Sequence, residues 1–213
     1  MSRTLSSILI DCNSMLDLEA ALPTDDDLAV RVNYAQQAVR EWSEAYRPSE
    51  LSTVTTLYAT LGTTTLPSNF KELEAIPEDL NNNQYPEILP KDRIQHGTGD
   101  KYSYITGNNT TGRTITFNNL PSLATLSVVY QRSPSGMATL TDICEVPDDM
   151  YVVQKVISLV LQSRSDERFP IIEADAQRRL VNMVGRAMVQ TPGGNMRMRR
   201  TGSGRWKIGR SRG

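Results

Sequence analysis

The sequence is poor in the residues on which most catalytic and metal chemistry depends. Its 213 residues include two cysteines, Cys12 and Cys144, and a single histidine, His96. Two thiols so far apart cannot cage a zinc ion without at least two further ligands, and they read as structural thiols. His96 stands in a glycine-flanked loop, Gln95-His96-Gly97-Thr98-Gly99, so histidine-dependent catalysis would rest on this one side chain. Long apolar runs are missing as well. Hydrophobic residues make up 38%, charged residues 22%, and the mean hydropathy is -0.39. Apolar runs extend for only a few residues, against the ~20 needed to cross a bilayer, so no membrane partner is expected. The N-terminal Leu5, Ile8, Leu9 and Ile10 are broken by serines and closed by Asp11, too short and too polar for a signal-peptide core. The chain is therefore expected in a cytoplasm or in an assembly made there. No repeat with a period of 20 to 50 residues is present, which argues against a solenoid.

A net charge of -1 conceals a sharp partition. From Gln190 to Gly213 the chain carries Arg197, Arg199, Arg200, Arg205, Lys207, Arg210 and Arg212 and no acid, while the other 189 residues hold 16 basic and 24 acidic side chains. An acidic body with a basic end indicates that the end was composed for something other than folding with the body. The same segment holds six of the 13 glycines and few apolar residues beyond Met196, Met198, Trp206 and Ile208, so it cannot fold alone.

Between these extremes the hydrophobic period changes twice. Leu28, Val32, Ala35, Val39, Trp42 and Tyr46 recur at spacings of 4 and 3, which predicts a helix over 24–47. Pro23 stops what precedes it, Thr24 can cap, and Asp25, Asp26 and Asp27 fall in the first turn at the positive end of the helix dipole. Successive helical positions diverge by ~100 degrees, so these three carboxylates serve the helix end rather than one metal ion. A shorter helix is expected over 4–20.

From residue 48 the period falls to two. Strands are predicted over 51–60, 63–66, 101–106, 113–117 and 123–132, with Gly107-Asn108-Asn109-Thr110-Thr111-Gly112 supplying the positive-φ positions of a hairpin. Val146-Pro147-Asp148-Asp149 then opens a helix bearing Met150, Val153, Ile157, Val160 and Leu161. Pro170 opens a second with Ile172, Ala176, Leu180, Met183, Val184 and Ala187 in phase, making an antiparallel helical hairpin. The expected fold is α+β, mainly an α-helical bundle with an inserted small antiparallel β module and an extended C-terminal arm. Its divisions are 1–47 for the N-terminal helices, 48–145 for the β module, 146–189 for the helical hairpin and 190–213 for the arm.

No motif here builds an active site. Gly97-Thr98-Gly99-Asp100-Lys101 lacks the spacing of a phosphate loop and precedes a strand. The Asn-x-Thr matches at Asn108 and Asn109 mean nothing without secretion, and Glu72 with Glu74 has neither nucleophile nor pocket nearby. No catalytic residue, metal ligand or cofactor is expected, and the chain does not read as an enzyme. The arm is the one segment with a functional composition. Its arginines can lie on phosphates while Trp206 stacks on a base, or Met and Trp can anchor in a protein partner while Arg meets carboxylates, or the arm stays solvated.

The order of signals from residue 66 onward resembles that of the head-to-tail adaptor, or connector, proteins of tailed bacteriophages and gene-transfer agents. The residues that carry the resemblance are Leu66-Pro67-Ser68-Asn69-Phe70-Lys71-Glu72-Leu73, Tyr102-Ser103-Tyr104-Ile105-Thr106-Gly107-Asn108, Leu126-Ser127-Val128-Val129-Tyr130-Gln131-Arg132, Leu140-Thr141-Asp142 and Val146-Pro147-Asp148-Asp149, with the helical hairpin after them and Arg40-Glu41-Trp42 before them. The resemblance implies a structural virion protein of the neck, assembled in the host cytoplasm. It implies a homo-oligomeric ring, commonly of twelve subunits, beneath the portal vertex, with genomic DNA passing through its lumen. The C-terminal arm would dock on the portal protein, and the other end would receive the next neck, tail-completion or tail component. Carried onto this chain, the portal-docking arm comprises Met196, Arg197, Met198, Arg199, Arg200, Arg205, Trp206, Lys207, Ile208 and Arg210. An acidic channel lining is a further expectation, because like charge lets DNA pass without adhering. The competing expectation is a nucleic-acid-binding protein that uses the basic tail directly.

Overall fold

A computed structural model describes residues 3–16, 18–108, 110–121, 123–190, 198–200 and 206–208. The chain divides into two compact units, one formed by Met1–Ala38 with Ala138–Gly213 and the other by Val39–Met137. The division falls within a single helix, α2 (Asp25–Ala45).

The first unit is helical. Helix α1 (Leu5–Met15) is capped by Thr4, whose hydroxyl accepts from the Ser7 amide at 3.4 Å, and it buries Leu5, Ile8, Leu9 and Cys12. Backbone bonds from Leu5 to Asp142, Ser6 to Leu140 and Cys144 to Arg3 (2.8 to 3.0 Å) fasten its start to the chain that leads into α3 (Asp149–Ser163). Helix α3 is apolar nearly all round, as a helix enclosed by neighbours must be, and Tyr151, Val152, Val153 and Val156 are wholly buried. It also carries Lys155 and Ser158 into that interior. Both are answered by Glu173 on α4 (Phe169–Gln190), at 2.6 Å from the Lys155 ammonium and 2.7 Å from the Ser158 hydroxyl, with Gln177 donating at 2.9 Å. Burial pushes the Glu173 carboxyl up, but these three donors and the lysine charge outweigh it and hold the group below the usual carboxylate range. In α2, Arg31 is buried and bonds the side-chain carbonyl of Asn13.

The second unit is a curled antiparallel sheet. Its strands are β1 (Ser52–Thr60), β2 (Thr63–Thr65), β3 (Phe70–Leu73), β4 (Glu78–Asp79), β5 (Tyr102–Asn108), β6 (Gly112–Asn118) and β7 (Leu123–Arg132). They run in the order β3-β7-β1-β2-β6-β5, with β4 also on β7. The longest ladder joins β1 to β7 from Ser52 with Gln131 to Thr60 with Leu123. The sheet curls into a half-barrel, bringing the Arg113 guanidinium of β6 to 5.6 Å from the Phe70 ring of β3 at the other end of the strand order. Inside lie Leu57 and Ala59 of β1, Ile115 and Phe117 of β6 and Leu126, Val128 and Tyr130 of β7, alternate residues of their strands as a two-residue period requires, with Phe70 of β3 and Leu66 and Tyr85 from the connections. Asp79 is buried beside them. Burial pushes its carboxyl up, but bonds from the Asn83 side chain and amide, the Asn81 amide and the Tyr85 hydroxyl prevail and hold it low. Trp42, at the end of α2, is fully buried and donates its indole N–H to the Tyr46 hydroxyl at 2.9 Å.

This architecture corrects the expected fold class. Among the described residues 40% are helical and 25% are strand, so the protein is not mainly a helical bundle carrying a small β module. The sheet has its own core, and it is larger than its local patterns indicate. The two-residue strand β4 and the irregular β3, with its register shift between Phe70 and Glu72, join it only through β7, more than forty positions along the chain. In the C-terminal segment, β8 (Met198–Arg200) pairs antiparallel with β9 (Trp206–Ile208).

Candidate functional site

The arm singled out from composition is described in part. Met198, Arg199 and Arg200 form β8, and Trp206, Lys207 and Ile208 form β9, with Met198 opposite Ile208 and Arg200 opposite Trp206. Met196, Arg197, Arg205 and Arg210 lie outside the described residues.

The motifs weighed for chemistry are occupied by structural bonds. The Gly97 amide donates to the Asp100 carboxylate at 2.8 Å. The Asn118 side chain donates to the carbonyls of Gly97, Thr98 and Asp100, and that of Asn119 to Gly99. The loop is thus clamped by two asparagines, with its first amide turned to its own aspartate rather than to a phosphate. His96 lies 3.7 Å from Asp100 and 5.1 Å from the Tyr102 ring. Glu72 pairs with Arg47 at 2.8 Å, and Glu74 accepts from the Ser52 hydroxyl. Burial pushes the Cys12 thiol up to about 12 and the Cys144 thiol up to about 11, far from nucleophilic thiolates at neutral pH. Among the described residues no group of three or more His, Cys, Asp or Glu side chains is placed to hold a metal ion.

Two surfaces stand out instead. The first is a polar cavity of about 340 Å³ between the start of α3 and the stretch of α4 from Asp175 to Arg186. Asp148 and Gln154 line one wall and Asp175, Arg178, Arg179, Asn182, Met183 and Arg186 the other. Arg179 is fixed by Asp148 at 3.0 Å and Gln154 at 2.9 Å, and Arg178 meets Asp175 at 2.9 Å while remaining 72% exposed. Arg186 has no ion pair among the described residues. Sequence reasoning passed over this cluster, although its signal was present: between Gln177 and Gln190 the chain has three arginines and no acid.

The second surface is the outer face of the sheet. Register places Val54, Thr56, Tyr58 and Thr60 of β1 beside Val129, Ser127, Thr125 and Leu123 of β7, and Thr63 and Thr65 of β2 beside Thr116 and Thr114 of β6. None of these positions is charged, while at the β4 edge Glu78 stands opposite Ser127 on the same side. Val54 is 66% exposed, Tyr58 74% and Leu123 80%. Next to Leu123 the β1–β2 turn places Leu61 at φ 53 and Gly62 at φ 79, with Leu61 85% exposed. Two positive-φ residues make this a type I′ hairpin turn, where asparagine is preferred first and a leucine is strained. Gly62 is required, since a Cβ there would meet the Phe117 carbonyl at 2.8 Å. Leu61 is thus a strained apolar residue at the exposed tip of this strand pair.

No curated protein matches the chain. The family model described as SU10 adaptor protein matches residues 4–196, nearly the whole chain. The chain therefore belongs to the SU10 adaptor protein family, a family of phage head-tail adaptors.

Proposed function

We propose that the protein docks on the portal ring through its basic arm and links the DNA-filled capsid to the next neck or tail component, as one subunit of a ring around the DNA path. The observation that carries this reading is the adaptor-family match over residues 4–196 in a chain whose last 24 residues hold seven basic side chains and no acid. Such an arm can bury Met196, Met198, Trp206 and Ile208 in a partner while Arg199 and Arg200 meet carboxylates, so docking needs no rigid preformed interface on this side. The sheet face with Tyr58, Leu61 and Leu123 supplies a second contact of different character, suited to the downstream protein component. An acidic body, with eight more acids than bases outside the arm, suits a channel wall that does not hold a duplex.

The test is the mass of portal rings incubated with the full-length chain or with a chain ending at Val189. Stoichiometric addition of the full-length chain alone supports arm docking. If neither adds and the full-length chain instead binds duplex DNA with an affinity that falls steeply with salt, the arm is a nucleic-acid tail and the adaptor contact lies elsewhere.

A further inference from the structure

We propose that copies of this chain associate head to tail through the helical unit, Asp26 and Asp27 at the start of α2 in one copy entering the arginine-lined cavity between α3 and α4 of the next. The proposal rests on the ring reading above and names the contact between its subunits.

Three observations carry it. The cavity has about 340 Å³, room for a few side chains. Its rim bears Arg178, largely exposed beyond its pair with Asp175, and Arg186, with no ion pair among the described residues. A guanidinium left over at the edge of a concave polar site is suited to a carboxylate, which it can hold by two parallel hydrogen bonds. The complementary group is on the same unit. Asp26 is exposed and has no polar partner among the described residues, while Asp27 is 66% exposed and meets only Arg31 at 3.8 Å and Arg164 at 4.0 Å.

The placement of the two patches decides how they can meet. Arg164 caps the C-terminus of α3 and Asp148 its N-terminus, and Asp27 stands at the first while Arg179 and the cavity stand at the second. Sixteen residues at 1.5 Å each put about 24 Å between them. One chain cannot bring its own acidic turn to its own cavity across that length of helix. Identical chains can satisfy each other, and a contact between two different patches is heterologous, giving a ring when the rotation closes. A duplex spreads its phosphates along a convex backbone and cannot insert them as a group into a cavity of this size, whereas adjacent aspartates on a helix end can.

Asp26→Lys and Arg186→Glu are the variants of choice, since neither native side chain has an ion pair or hydrogen bond among the described residues whose loss would unfold the protein. Self-association of the full-length chain is measured by sedimentation at tens of micromolar, and loading is measured as copies per portal ring. Each single reversal is expected to weaken self-association about tenfold or more. The D26K/R186E double variant, and an equimolar mixture of the two singles, are expected to recover it, because each junction again pairs opposite charges. Association should also weaken as salt rises toward about 0.5 M. Single variants that assemble and load like the parent chain, or a double variant as weak as either single, overturn the proposal. So does a parent chain that neither self-associates nor gains variant-sensitive loading on the ring. Loss of duplex binding in R186E with unchanged self-association overturns it as well and assigns the cavity to DNA. The two readings fail separately: a charge-dependent oligomer that never adds to the portal refutes arm docking alone, and full rings built from both single variants refute the cavity contact alone.

Discussion

Replacing Leu61 with asparagine should make the protein more stable, although it removes the larger apolar side chain. Leu61 occupies the first position of a two-residue turn at φ 53, followed by Gly62 at φ 79. A left-handed conformation disfavours an L-residue other than glycine by ~1–2 kcal/mol, a penalty that asparagine largely escapes through local hydrogen bonding. Against this stands the burial lost. Leu61 is 85% exposed, so it keeps only about a seventh of the ~1.5–3 kcal/mol that full burial of a leucine provides, or ~0.2–0.4 kcal/mol. The balance favours asparagine by ~0.5–1 kcal/mol, which for a chain of this size raises the melting temperature by roughly 1–4 °C. Thermal denaturation of a series resolves the cause. Leu61→Asn should lie above the parent, Leu61→Gly near or slightly above it, and Leu61→Ala at or below it, since alanine keeps the strained φ and loses the side chain. An order that follows side-chain size, with leucine first, would refute the reasoning and show that contacts rather than backbone conformation govern this position. If the sheet face binds the downstream component, L61N should also weaken that contact while stabilising the subunit.

Other outcomes follow from the interior. Glu173→Ala takes the carboxylate away from the buried Lys155 ammonium and should destabilise the protein by roughly 3 kcal/mol in a denaturant titration, whereas Glu173→Gln, which keeps hydrogen-bond acceptance, should lose less. Glu173 and Asp79 are both held below their ordinary values, so the stability they confer is present above the unfolded carboxylate values and should decline as the pH falls below about 4; a melting temperature unchanged between pH 6 and pH 3 would contradict this. Trp42→Ala removes a fully buried indole and should lower stability by ~3–5 kcal/mol, read from the midpoint of urea unfolding. Cys12 and Cys144 should resist alkylation at pH 8 in the folded protein and react promptly in denaturant, and rapid labelling of the native chain would contradict their burial.

The helices were legible because each is fixed by neighbours three and four positions away. The spacing of Leu28, Val32, Ala35, Val39 and Trp42 carries its own geometry, and the prediction over 24–47 meets a helix over Asp25–Ala45. The β5–β6 hairpin was legible for the same reason, its glycines and asparagines lying between the strands they join. The extent of the sheet was not legible, because the β1–β7 ladder joins residues 63 to 79 positions apart and no local pattern states such a pairing. Once formed, that ladder supplies the edge on which the short β3 and β4 depend, which is why Lys71-Glu72-Leu73-Glu74 read as an isolated acidic pair. The arginine cavity was hidden for a similar reason: Arg178, Arg179 and Arg186 become one site only when α4 lies against the start of α3. The arm could be recognised from composition alone, since its charge and glycine content set it apart before any fold is known.

The most direct test of the account is the loading of purified portal rings with the full-length chain and with a chain ending at Val189, measured by native mass. The account predicts a fixed complement of full-length subunits on each ring and none of the truncated chain. Equal loading by both chains, or loading by neither while the full-length chain binds DNA at low salt, would contradict it.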